Sequence, residues 1–292
     1  MNTVAARRRP MMTVDVFTDV AYKGNPVAVV LDAEGLDEAS MQAFARWTNL
    51  SETTFVLPPN ETARAQGADY RLRIFSPAGE MDFAGHPTLG SCHAWLAHGG
   101  QAQNAQRIVQ ECAAGLVAIQ RSSQGLAFAA PTVQMLAVPN GLTRIYESLQ
   151  LDAAHVQAIA MLDVGTPWLC IQVDTADTLL ALQPTISALQ ALSDLFKEDV
   201  GIGLCALRHH GQAQLEVRAF TLSGYEDPVT GSLNACLADW LCTRNEIQAP
   251  YLALQGRCVG RDGRIHIARD AQQQQLWVGG QCVLCIQGTV LL

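Results

Sequence analysis

The chain has 292 residues, of which 16 % are charged and 49 % hydrophobic, and its mean hydropathy is +0.12. Apolar content this high offsets the entropy of ordering, which excludes a disordered chain and points to one large or two medium domains. Nineteen Lys and Arg against 27 Asp and Glu leave a formal charge of −8, a balance that argues against nucleic acid as a partner.

Residues 1–10, with the basic run Arg7-Arg8-Arg9, read as a mobile N-terminal extension. Acids follow where a signal peptide needs an apolar stretch. The longest uncharged segments, 122–143 and 271–292, are broken by Pro, Gly or Gln, so no membrane span is expected. Residues 13–17 and 27–31 predict two strands joined by the turn chemistry of Lys23-Gly24-Asn25-Pro26. A helix follows, with Asp37 as N-cap and Met41, Phe44 and Ala45 on its apolar face. Strands are predicted over 53–57 and 68–75, then a helix over about 87–98, then strands over 107–111, 116–120 and 126–129. Residues 141–160 read as helix in two pieces broken near Asp152. A strand over 168–173 precedes helices over 175–182 and 184–196, the second with Pro184 in its first turn. Strands over 202–207 and 214–220 lead through a loop into a helix ending near Cys242. The last fifty residues read as strands over 252–255, 264–268, 274–278, 282–287 and 289–292.

Two passages echo each other. Arg73 precedes Asp82 by nine positions, and Arg218 precedes Asp227 by the same nine. Each pair is followed by Gly, Thr and a run of small residues that starts a helix. This predicts two similar α/β halves facing each other across a cleft: residues 11–130, and residues 131–292, with a last strand at about 285–292 that returns to the first half.

A helix start built from small residues presents unpaired N–H groups and the positive end of the macrodipole, so it suits an anion. Gly85-His86-Pro87-Thr88 and Thr230-Gly231-Ser232 are two such starts. Taken singly, each reads better as a helix capped by Thr88 or Ser232. Together, with His86 and Asp227 alongside, they point to a small carboxylate ligand. No GxGxxG, P-loop, HExxH or GxSxG pattern occurs, which removes support for nucleotide, zinc-protease and serine-hydrolase chemistry. Glu52 sits at a helix-to-strand join beside an apolar strand. Partial burial there tunes a carboxyl toward taking and returning a proton; the same position also suits a surface Glu at a turn. The nine Cys, odd in number and with apolar neighbours, read as reduced core thiols of a cytoplasmic protein.

Four passages then resemble the phenazine biosynthesis PhzF-like family: Gly24-Asn25-Pro26-Val27-Ala28-Val29, Asn49-Leu50-Ser51-Glu52-Thr53-Thr54-Phe55-Val56, Asp82-Phe83-Ala84-Gly85-His86-Pro87-Thr88-Leu89-Gly90 and Glu226-Asp227-Pro228-Val229-Thr230-Gly231-Ser232. Gln255-Gly256-Arg257 also fits. The resemblance runs from about residue 12 to residue 292. It implies the diaminopimelate epimerase-like fold, in which two pseudo-symmetric halves each wrap a mostly antiparallel sheet around a central helix. It implies cofactor-independent isomerisation of a dihydro-hydroxyanthranilate-like substrate and a homodimer. Glu52 matches the acid/base, and His86, Asp227 and Ser232 match substrate-orienting residues, with Gly85, Thr88, Thr230 and Gly231 as further substrate-binding positions. The related racemases use two Cys at the helix starts, where this chain has none. Two other readings stay open: a non-catalytic small-molecule-binding or regulatory protein on the same fold, and an amino-acid epimerase.

Overall fold

The computed structural model describes residues 6–104, 106–196, 200–270 and 274–292. The chain divides into two compact units. The first holds the described residues up to Ala129 together with Gly279–Leu292, and the second holds Ala130–Val278.

In the first unit the elements are β1 (Arg8–Val16), β2 (Asn25–Val30), α1 (Glu38–Thr48), β3 (Thr53–Leu57), α2 (Glu61–Ala65), β4 (Tyr70–Phe75), β5 (Glu80–Met81), α3 (Gly85–Ala97), β6 (Arg107–Cys112), β7 (Gly115–Ser122) and β8 (Gly125–Ala129). β1 pairs antiparallel with β2, β2 parallel with β3, and β3 antiparallel with β4. β4 then pairs antiparallel with β5 and parallel with β6, which continues antiparallel into β7 and β8. Helix α1 starts where expected, because the Asp37 carboxylate accepts from Ser40 N at 2.8 Å. Its apolar face, Met41, Phe44 and Ala45, packs with Val30, Phe55 and Phe75.

α3 carries no charged residue, and Gly85–Ser91, Cys92 and Ala94 are all buried. A helix apolar on every side belongs inside a core, and α3 lies against β1, β2, β3, β4, β8 and one further strand described below. Gly90 permits the close approach. A Cβ there would lie 2.3 Å from Val27 Cγ1 and 2.9 Å from Val16 Cγ2.

The second unit contains β9 (Gln134–Leu136), α4 (Leu142–Leu149), β10 (Val156–Asp163), β11 (Pro167–Val173), α5 (Ala176–Ala181), α6 (Ile186–Gln190), β12 (Gly201–Leu207), β13 (Leu215–Thr221), β14 (Glu226–Asp227), α7 (Gly231–Thr243), β15 (Tyr251–Gln255) and β16 (Gly263–Arg269). β17 (Leu276–Gly280) spans the return to the first unit, and β18 (Cys282–Leu291) completes that unit by pairing antiparallel with β1. The pairings repeat the earlier series: β10 with β11 antiparallel, β11 with β12 parallel, β12 with β13 and β13 with β14 antiparallel, β13 with β15 parallel, β15 with β16 antiparallel. The Arg-to-Asp echo has a physical counterpart. Arg73 holds Glu80 through two bonds of 2.6 Å, and Arg218 holds Glu226 at 3.0 and 2.8 Å. In both units a strand arginine thus clamps the short returning strand with a two-pronged, charge-assisted contact.

The structure corrects four expectations. The expected extension does not reach residue 10, because Arg7 already exchanges backbone hydrogen bonds with Leu292. Arg8–Pro10 already belong to β1, and Arg9 is 1 % exposed, with its guanidinium on the carbonyls of Asp32 and Glu34. The pairing partner, β18, lies nearly the whole chain away, so local sequence shows only a basic run. Residues 1–5 lie outside the described residues. Residues 156–160 are strand rather than helix. This segment joins β11 on one edge, and β9 pairs further along the same strand at Met161–Asp163; a run apolar on both faces has no period by which to tell strand from helix. Pro184 precedes the helix: Thr185 caps α6 by accepting from Ala188 N. The chain re-enters the first unit at Gly279 rather than near residue 285, and 282–292 form one strand instead of two. Gly279 lies against Leu126 and Ala127 so closely that a Cβ would sit 2.4 Å from the Leu126 carbonyl oxygen. No described helix is long and apolar enough to cross a membrane.

Gly90→Ala is expected to cost about 1–3 kcal/mol through overpacking against Val27 and Val16. Urea unfolding followed by circular dichroism measures it, and a variant as stable as the wild type contradicts the close approach.

Candidate active site

Glu52 follows the end of α1. Asn49 closes that helix in the left-handed conformation, φ +55°, a position asparagine tolerates. The chain turns there and enters β3, whose first residues are tied down on both sides. Thr53 Oγ1 meets Thr48 Oγ1 at 2.7 Å, and Thr54 Oγ1 meets Ser91 Oγ of α3 at 2.7 Å. The second bond locks the Glu52 segment to the helix that carries His86.

His86 Nε2 lies 3.3 Å from Glu52 Oε2, with the two side chains 7 % and 15 % exposed. Burial pushes the His86 imidazole down to about 3, so the ring is neutral at ordinary pH. The one opposing influence is the backbone of Pro26. Proline has no N–H, so this contact is a ring N–H donating to its carbonyl. With Nε2 facing Glu52, the proton sits on Nδ1. Nε2 therefore offers Glu52 a lone pair. A carboxyl and a neutral imidazole so placed can hold one proton between them and pass it on.

The start of α3 has no side-chain cap. Thr88 does not cap it. Its hydroxyl is fully buried and accepts from Gln110 Nε2 at 3.0 Å, while Gln110 Oε1 accepts from Tyr70 OH at 3.0 Å. Thr88 thus belongs to an internal polar chain. Gly85 and His86 occupy the first positions of the helix, and both are buried.

In the second unit, Asp227, Thr230, Gly231 and Ser232 converge on the start of α7, which also lacks a side-chain cap. Thr230 Oγ1 donates to Asp227 Oδ2 at 2.6 Å. Ser232 Oγ accepts from Trp168 Nε1 at 3.1 Å. An indole N–H only donates, so the Ser232 hydroxyl keeps its own hydrogen for another acceptor. Trp168 is held flat against Gly201, where a Cβ would come within 2.2 Å of its ring. Sequence reading passed over Trp168, Gln110 and Asn234. The pattern around Trp168 predicts only a strand; nothing local shows that its ring reaches a serine 64 positions away. Gln255 stood inside a motif of the family resemblance, yet nothing around it indicates a role.

Cys92 and Cys236 lie within α3 and α7, fully buried. Burial pushes the Cys92 thiol up to about 12 and raises Cys236 as well. Neither is poised as a thiolate, so two-thiol racemase chemistry has no support at these positions.

The sequence profile of the phenazine biosynthesis-like proteins, PhzC-PhzF, matches residues 14–288. The chain belongs to this family. It is 33 % identical over 291 residues to antisense-enhancing sequence 1 of Schizosaccharomyces pombe, covering 94 % of this chain and 96 % of that protein. It is 32 % identical over 295 residues to the trans-2,3-dihydro-3-hydroxyanthranilate isomerase of Pseudomonas fluorescens, covering 96 % and 98 %. A solved PhzF-family phenazine biosynthesis protein of Bacillus anthracis aligns with a TM-score of 0.83 at 24 % identity, over 98 % of this chain and all of that one; that likeness is one of fold. Several relatives of this PhzC-PhzF chain are named isomerases, and the protein is an enzyme of that kind.

His86 makes stability depend on pH. The unfolded chain protonates this residue below about 6.5, whereas the folded protein resists down to about 3, so stability falls as pH falls through that window. At pH 5 the loss is about 2 kcal/mol relative to pH 7. Denaturant titrations at both pH values measure it. In His86→Asn this part of the slope is expected to vanish; an unchanged slope contradicts the assignment.

Proposed function

We propose that this protein is a cofactor-independent isomerase that moves a proton between two atoms of a small cyclic carboxylate. The substrate class is that named for its Pseudomonas fluorescens relative, a dihydro-hydroxyanthranilate. The observation that carries the reading is the buried Glu52–His86 pair, 3.3 Å apart with the imidazole neutral. Glu52 takes a proton from carbon as a carboxylate and becomes the acid. His86 then accepts a hydrogen bond from that acid at Nε2, which keeps the proton oriented for return to a second carbon. Asp227 accepts a hydrogen bond from a polar substituent of the substrate and so helps to orient it for proton transfer. The Ser232 hydroxyl and the backbone N–H groups of Gly231 and its neighbours hold the carboxylate, and Gly85 lets the start of α3 come close to the ligand. Thr230 acts on Asp227, and Thr88 supports α3 from within.

The same reading extends to the fold. The repeated pairing series and the two strand-arginine clamps support a duplicated, diaminopimelate epimerase-like architecture. Nine free cysteines among the described residues are compatible with a reducing cytoplasmic setting. The family likeness supports a homodimer, which light scattering tests directly.

Glu52→Gln is expected to keep the fold and the binding of 3-hydroxyanthranilate, a stable aromatic analogue, while lowering turnover by about 10²-fold or more. Substrate isomerisation in D₂O followed by NMR measures both product and exchanged hydrogen. Full turnover by Glu52→Gln would sink the acid/base role. Binding without exchange by the wild type, across a panel of cyclic amino acids, would overturn the proposed substrate class.

A further inference from the structure

Gln255 ends β15 and is 1 % exposed. Its side-chain amide uses its whole bonding capacity. The oxygen accepts from Thr230 N at 3.1 Å and from Asn234 Nδ2 at 3.0 Å. The nitrogen donates to the Asp227 carbonyl at 3.0 Å and to Thr230 Oγ1 at 2.8 Å. The orientation of this amide is settled by its partners, because a backbone N–H can face only the oxygen and a carbonyl only the nitrogen.

A direction follows for Thr230. Its hydroxyl receives a hydrogen from Gln255, so its own hydrogen goes to Asp227 Oδ2, 2.6 Å away. Asn234 closes the ring by donating to the Thr230 carbonyl at 2.9 Å. The backbone beneath is fitted to the same segment. Gly256, at φ +92°, lies where a Cβ would be 2.5 Å from the Pro228 carbonyl oxygen, and Gly263 where one would be 2.4 Å from Val229 Cγ2. The β15–β16 hairpin is thus a floor under residues 227–230. The first unit has a related amide, Gln110, on the strand that follows its own buried helix, where it donates to the Thr88 hydroxyl.

We infer that Gln255 and Thr230 are positioning residues for Asp227. The amide sets the direction of the threonine hydroxyl, and the hydroxyl fixes one carboxylate oxygen, so that the Asp227 carboxylate is held in one orientation. This rests on the assignment of Asp227 to substrate binding made above, and it adds the groups that aim it.

The test uses the full chain with Thr230→Val, Thr230→Ser and Gln255→Met, and trans-2,3-dihydro-3-hydroxyanthranilate as the probe. Thr230→Val and Gln255→Met are expected to lower kcat by about 10- to 100-fold, the scale set by a misplaced catalytic group. KM is expected to change less than about threefold, because the loss falls in the transition state. Thr230→Ser restores the hydroxyl and is expected to stay within about threefold of wild type. Equal activity of the Val and Ser variants overturns the inference, since a merely structural threonine does not distinguish them by hydroxyl. A second readout needs no turnover: the crystal structure of Thr230→Val is expected to show the Asp227 carboxylate rotated from its wild-type position. An unmoved carboxylate also overturns the inference. A displaced carboxylate in a protein whose wild type does not turn over this probe leaves the positioning intact and removes the proposed substrate.

Discussion

The constraint on which each unit depends is a helix with almost no charge. α3 has none, and α7 carries only Asp239. Such a helix gains nothing from water on any face, so strands must cover it nearly all round. Space then becomes the limiting quantity. Gly90 on α3, and Gly203 opposite Leu233 of α7, supply the missing volume. Each is a place where strand and helix come closer than any Cβ permits.

Burial of the helix has a second consequence, at its N-terminus. The first N–H groups of a helix have no internal partner, and neither α3 nor α7 has a side-chain cap. A buried amide therefore organises the first turns from below: Gln110 at Thr88, Gln255 at Thr230 and Asn234. An unsatisfied polar group in such a place costs roughly 1–3 kcal/mol, so these amides stabilise the fold as well as aligning the helix start. The proposed acid/base pair sits beside this frame. His86 is neutral because it is buried, and it faces Glu52 because Thr54 and Ser91 bind the two segments together.

Much of this was legible in the amino-acid order. The Arg-to-Asp spacing marked two related strand–loop–helix passages, and each Arg indeed holds the short strand that leads to its Asp. Asp37 announced the start of α1. Glu52 and His86, chosen from a turn and a helix start, lie side by side. What sequence reading missed shares one cause. Arg9 is buried by the far end of the chain, Trp168 reaches Ser232 from another strand, and Gln255 meets residues more than twenty positions earlier. Segment 156–160 became strand for the same reason, since its partner strands and not its own residues decide its conformation.

The sequence by itself determined the uncharged helices, the turn residues and the chemical types available to the site, because propensity, capping and composition act over a few neighbouring residues. Only the tertiary structure decided which polar groups lose water, and thereby which imidazole stays neutral and which hydroxyl is committed to a partner. Desolvation and hydrogen-bond direction depend on every atom packed around a group, and those atoms come from strands that the chain order keeps far apart.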